Sequence, residues 1–268
     1  METSILTKNS ANELHNQIQQ YLDELMQATD KARTSQEMLR YLDFCARFHN
    51  YSATNIWLIL MAKPDATYVA GYHKWKSMKR WVRRGEQGIA ILAPILVKEE
   101  DMDGLDKQFL VGFKVVYVFD VAQTDGVPLP PPPDWKSPQK NEELNCRLIR
   151  FAESRGISVT FKHLPGEIQG LSKGGAIEIA PTRSSKTLSH EISHELLHRV
   201  ENIQLSRAER ELEAEAVAFV VCKHFGLDGL NSPNYMALYA ITSEQIIAHL
   251  ARICSTANEI ITAIDPHS

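Results

Sequence analysis

The chain has 268 residues, 44% hydrophobic and 23% charged, with a formal net charge of −4. That length affords a sizeable core, in one large domain or two modest ones, and the charge balance excludes a general polycation, so any nucleic-acid surface has to be a local patch. The N-terminus METSILTKNSANELHNQ has no basic segment followed by an apolar run, and no stretch approaches roughly 18 uninterrupted apolar residues, so a cytoplasmic protein without a membrane span is expected.

Three helical patterns come first: Leu14, Ile18, Tyr21, Leu22 and Leu25; then Met38, Leu39, Leu42, Cys45, Ala46 and Phe48; then a run from an N-cap at Ser52 through Ile56 to Leu60, closed by Pro64. Strand-like text follows at Thr67–Ala70, Ile89–Val97 and Phe109–Val118, the last two reading as a hairpin around the acidic loop Glu99–Asp106. GVPLPPPP, residues 126–133, favours extended polyproline geometry and marks the clearest boundary. The expected organisation is a domain over 1–125, a proline-rich linker over 126–140 and a domain over 141–268. Beyond the linker the pattern predicts a helix (Glu142–Ser154), a strand (Ile157–His163), a glycine-rich turn, a strand (Ala176–Ile179) and helices to the end. The fold class is α+β: N-terminal helices with a small antiparallel sheet, then a second α+β domain. Cys45, Cys146, Cys222 and Cys254 are far apart and form no CxxC, so they read as reduced, mostly buried thiols.

HEISHELLH, His190 to His198, carries the chemistry. It holds two overlapping HExxH patterns, one using His190, Glu191 and His194 and the other His194, Glu195 and His198. On a helix, imidazoles at i and i+4 lie on one face and can share a metal ion, and the Glu beside the first His lies close enough to act on a water there. Three His at i, i+4 and i+8 climb about 12 Å, too far for all to hold one ion, and spacing alone leaves the register open. A zinc site of this kind takes a third protein ligand, usually a Glu from a following helix. SRAERELEAEAVAFVVCKHFG supplies that helix, with Ser206 as N-cap and Gly226 as stop. Glu209 and Glu211 also suit the first turn simply as carboxylates at a positive helix end. Glu215, on the face of Ala218 and Cys222, is the favoured ligand, with Glu211 second; Glu213 points elsewhere.

Between Lys63 and Ala90, Lys74, Lys76, Lys79, Arg80, Arg83 and Arg84 alternate with Tyr72, Trp75 and Trp81. Cations that track phosphates, interleaved with flat rings that stack on bases, are what a single-strand binder needs. The same run fits a solvated face with Trp75 or Trp81 in the core.

The second half, on TLSHEISHELLH and RELEAEAVAFVVCKHFGLD, resembles the zincin-like domains of ArdC-type antirestriction proteins and, more distantly, ImmA/IrrE-type metallopeptidases. This resemblance implies the first register, with His190 and His194 as ligands, Glu191 as the catalytic carboxylate, Glu215 as the third ligand and His198 as an extra. YSATNIWLI, ATYVAGYHKWKSMKRWVRRGEQGIAI and VFDVAQTDGVPLP resemble the ArdC N-terminal single-stranded-DNA-binding domain. The implied protein is a zinc metallopeptidase of the gluzincin kind, tolerant of other divalent ions, with single-stranded DNA and a protein or peptide as partners. In that reading the substrate lies along Ala176–Ala180 and Tyr235 is a weak oxyanion candidate. The alternative is a non-proteolytic single-strand-binding antirestriction protein whose metal is structural.

Overall fold

The computed structural model describes residues 10–27, 31–100, 106–129, 138–181, 184–199, 205–227, 230, 233 and 242–265. In chain order the elements are α1 (Ala11–Gln27), α2 (Lys31–Arg47), α3 (Ala53–Ala62), β1 (Val69–Gly71), α4 (Tyr72–Ser77), β2 (Arg80–Val82), β3 (Ile89–Glu100), β4 (Asp106–Asp120), β5 (Thr124–Gly126), α5 (Pro138–Ser154), β6 (Ser158–Phe161), β7 (Gly170–Ser172), β8 (Ala176–Ile179), α6 (Ser185–His198), α7 (Arg207–His224) and α8 (Ser243–Ile264). The fold is α+β with small sheets. The chain divides into two compact units, residues 1–24 with 54–129 and residues 25–53 with 130–268. A single cut near residue 125 does not reproduce this division, because 25–53 goes with the C-terminal unit. The segment read as a linker also begins inside β5 and ends inside α5; residues 130–137 lie outside the described ones.

In the first unit the buried Leu14, Ile18 and Leu22 of α1 recur at helical spacing, and Tyr21 packs its ring on Trp57 of α3 at 5.5 Å. β3 and β4 form the long hairpin, and β1 adds antiparallel to β4, giving the order β1-β4-β3. Asn55 fixes α3 to this sheet through both amide groups: Nδ2 donates to the Leu92 carbonyl (2.9 Å) and Oδ1 accepts from the Leu92 N–H (2.8 Å). The stretch VFDVAQTDG acts through its backbone contacts. Buried Asp120 accepts from the Thr67, Tyr68 and Ala122 N–H groups, and Gln123 closes back on the Asp120 N–H, ending β4 in a capped 3-10 turn. β5 then returns antiparallel to β2. Gly126 sits at φ +139°, and a Cβ there would lie 2.3 Å from the Lys79 carbonyl oxygen, so no other residue fits. α4, β2 and β5 are short elements that the hydrophobic pattern did not predict.

The second unit has a three-stranded sheet in the order β6-β8-β7, β6 parallel and β7 antiparallel to β8. β7 falls in the segment read as a glycine-rich turn. α6 packs on α7 and on the sheet, and α2, α5 and α8 complete the helical layer. Leu188 and Ile192 bury one face of α6, and Ala214, Ala216 and Ala218 let α7 approach closely. Ser184 caps α6, and Ser206 with Glu209 forms a capping box on α7, at the N-cap the sequence indicates. Among the described residues, no helix is long and apolar enough to cross a membrane.

Candidate metal centre and nucleic-acid face

Successive turns of α6 bring His190 and His194 together with their Nε2 atoms 3.0 Å apart. α7 lays Glu211 across them, its Oε2 3.4 Å from His190 Nε2 and 3.6 Å from His194 Nε2. His190, His194 and Glu211 each offer one ligand atom within 4.8 Å of the others. A tetrahedral ion with bonds of about 2.0–2.2 Å separates its ligand atoms by about 3.3–3.6 Å, so two imidazoles and a carboxylate in this triangle fit a divalent cation in both donor type and span. Burial, and the neighbouring His190, lower the His194 pKa to about 4, which keeps its ring neutral as a ligand must be.

Glu215 stands elsewhere. Its Oε2 is 3.3 Å from His190 Nδ1, the ring nitrogen turned away from His194, and its other oxygen pairs with Lys186. In this geometry Glu211, the second choice from the sequence, lies against both ring tips, and Glu215, the favoured choice, does not. Glu211 and Glu215 share one face of α7 a turn apart; the first meets the tips of the two rings and the second the base of one. Burial opposes the charge of Glu215, yet His190 and Lys186 hold its carboxyl below the usual range.

The two overlapping motifs part clearly. Glu195 accepts from the Ser172 hydroxyl (2.7 Å) and from the N–H groups of Lys173 (3.0 Å), Gly174 (2.8 Å) and Gly175 (2.5 Å). Both of its oxygens are taken up in locking the β7–β8 turn to α6. Glu191 instead lines the cleft beside His190 and His194. Burial raises its pKa above the usual carboxylate value. It reaches that position because β7 offers Gly170: a Cβ there would fall 2.6 Å from the Glu191 carboxylate. His198 turns its Nδ1 to His194 Nδ1 (3.1 Å) and its Nε2 to Glu213 (3.0 Å). Glu213, fully buried, also meets His249 (2.6 Å) and Arg252, both on α8. Sequence reasoning missed this carboxylate, because its partners lie on a helix far along the chain. β8 is the central strand, so the expected docking of a substrate along Ala176–Ala180 is corrected: the free edge beside Glu191 is β7. Tyr235 lies outside the described residues.

In the first unit the basic stretch divides in two. Trp75 is 0% exposed and donates Nε1–H to the Phe119 carbonyl. Arg80 is 8% exposed; it lies over the Trp75 ring and donates to Thr124 and to the Val127 carbonyl. These two are structural, correcting their expected role as contacts. Arg83 is half-exposed but is held by Glu86, Asp125 and the Ala122 carbonyl. Lys74, Lys76, Lys79 and Arg84 are exposed, as are Tyr72 (51%) and Trp81 (53%).

Residues 6–125 match the family described as the N-terminal domain of anti-restriction factor ArdC. An uncharacterized protein of Bacillus anthracis is 25% identical over 313 residues, covering 97% of this chain and 53% of its own length, so the chain spans about half of that relative. The metal-free crystal structure of the antirestriction ArdC protein from the R388 plasmid aligns at 20% identity and TM-score 0.45, over 79% of this chain and 82% of that one. Its Mn(II)-bound form aligns at 17% identity and TM-score 0.45, over 81% and 85%.

Proposed function

We propose, from the match of residues 6–125 to the ArdC N-terminal domain family, that this chain joins a single-strand DNA-binding unit to a divalent-metal-dependent peptidase. The observation that carries the peptidase half is the convergence of His190, His194 and Glu211 with Glu191 beside them in one cleft. Those three side chains would hold a divalent ion, zinc by preference for this donor set, which would supply Lewis-acid activation of a water and of the scissile carbonyl. Glu191 accepts the proton of the attacking water and passes it to the leaving amine, which a buried carboxylate with a raised pKa is suited to do. His194 stays neutral at working pH, and the open edge of β7 orients an extended substrate past Glu191. The DNA half rests on the exposed Tyr72 and Trp81 rings set among Lys74, Lys76, Lys79 and Arg84.

Glu191→Gln tests the mechanism. The variant is expected to retain stoichiometric zinc by elemental analysis and to lose hydrolysis of a peptide-library digest read by mass spectrometry; cleavage equal to the parent's defeats the assignment. Glu211→Gln is expected to weaken zinc against a competing chelator more than Glu215→Gln does. If His190→Ala folds, loses zinc and protects single-stranded DNA from nucleases undiminished, the metal is dispensable for that protection and the non-proteolytic reading gains.

A further inference from the structure

The cleft that holds His190 and His194 has a volume of about 920 Å³, and its lining carries three arginines against the two carboxylates Glu191 and Glu211. Arg199 closes α6, Arg207 opens α7 and Arg210 follows three residues later, and all three line the cleft. Arg207, Arg210 and Glu211 stand at i, i+3 and i+4, so both arginines share a helix face with the carboxylate that meets the histidines. None of the three guanidinium groups has an ion-pair partner among the described residues, unlike Arg147 and Arg155, which are held by Glu143 and Glu259. In a chain of net charge −4, three uncompensated guanidinium groups beside a metal centre form a local field for anions, and the planar fork of each matches a carboxylate.

The remaining lining narrows the ligand. Among the described residues β7 pairs only with β8, on one side, and the exposed Ile168 and Leu171 stand along it. An open strand edge with apolar side chains beside it receives an extended peptide. Among the described residues, no aromatic side chain lines the cleft, so they provide none of the stacking platform that single-stranded nucleic acid uses.

We propose that this cleft selects an extended acidic peptide, laid along the edge of β7 with its carboxylate side chains on Arg199, Arg207 and Arg210. The proposal rests on the peptidase reading for the position of the scissile bond, but binding is measurable without cleavage. The test uses the full chain, chelator-treated and zinc-loaded, with three fluorescein-labelled probes: a decapeptide alternating Glu and Leu, its Gln counterpart, and a ten-nucleotide oligothymidine. In the chelated protein the Glu peptide is expected to bind at least about tenfold tighter than the Gln peptide by anisotropy, and to lose that margin in the Arg207→Ala/Arg210→Ala variant. Arg207→Gln, which keeps most of the side-chain stem, provides a second variant and is expected to lose part of the margin.

Equal binding of the Glu and Gln peptides overturns the proposal. So does oligothymidine binding that exceeds that of the Glu peptide and falls in the same arginine variant, which assigns the cleft to nucleic acid. Tight binding of the Glu peptide with no cleavage by the zinc-loaded chain sinks the peptidase reading and upholds the acidic-peptide site. Cleavage of Glu and Gln peptides at equal rates does the reverse.

Discussion

Glu213 has no access to water and carries its charge among His198, His249 and Arg252. Burial opposes that charge, but hydrogen bonds from the three partners more than offset it and hold the carboxyl at about 2. A carboxyl depressed from about 4.5 to about 2 adds of order 3 kcal/mol to stability at neutral pH; this contribution is present above pH 4.5 and is lost as pH falls towards 2. Urea unfolding of Glu213→Gln is therefore expected to show a smaller midpoint loss between pH 5 and 3 than the parent. Glu213→Ala, which leaves the Arg252 charge without its buried partner, should cost about 3–5 kcal/mol at pH 7. Gly170→Ala makes a different point. The added Cβ would meet Glu191 at 2.6 Å, so, on the proposed peptidase reading, the variant is expected to stay folded and bind zinc while kcat for peptide cleavage falls about a hundredfold, as a misplaced catalytic group does. The pairing of His190 with His194 was legible because it depends on i to i+4 spacing. Which of Glu211 and Glu215 meets the ring tips depends on the rotation of α7 against α6, which no local pattern encodes. The role of Glu195 was hidden for the same kind of reason, since the N–H groups that claim it belong to a strand turn earlier in the chain.

The helices and the long β3–β4 hairpin were readable from apolar periodicity, and the Ser206 cap from its capping-box partner Glu209. The elements that escaped notice, α4, β2, β5 and β7, have three to six residues, too few to show a period. They are also the elements that sort the basic stretch. α4 and β2 turn Trp75 and Arg80 inward and leave Tyr72, Trp81, Lys74, Lys76 and Lys79 outward, which alternating charge and aromatic text cannot distinguish. Trp81→Ala should weaken binding of oligothymidine by about 1–3 kcal/mol with the melting temperature nearly unchanged. Trp75→Ala should instead cost about 3–5 kcal/mol of stability. With four exposed cations as phosphate contacts, the single-strand salt slope of about −0.7 per contact predicts a loss of roughly fiftyfold in affinity between 50 and 200 mM salt. A slope near zero in a salt titration would remove this face as the binding site.

The proposed metal site would draw its ligands from α6 and α7, with supporting charges from α8, so a bound ion should report on the whole second unit. An ion that binds only the folded state adds about 2.7 kcal/mol at a hundredfold excess over Kd, and chelation is expected to lower the melting temperature of the parent but not of His190→Ala. That unit is also discontinuous in the chain. α2 is wedged into it through contacts such as Tyr41 and Cys45 with Cys254, and His224 Nδ1 bonds the Ala46 carbonyl across 178 residues. On a ribosome, α2 emerges long before the helices that cover it. At about 5–20 residues per second it waits roughly 10–35 s for His224, with the apolar face of Met38, Tyr41, Leu42 and Cys45 unburied, while residues 54–129 already hold the partners of β1 to β5. The nascent chain therefore has an exposed amphipathic helix on one side of a domain free to close, and α2 is where a holdase chaperone should first engage during synthesis.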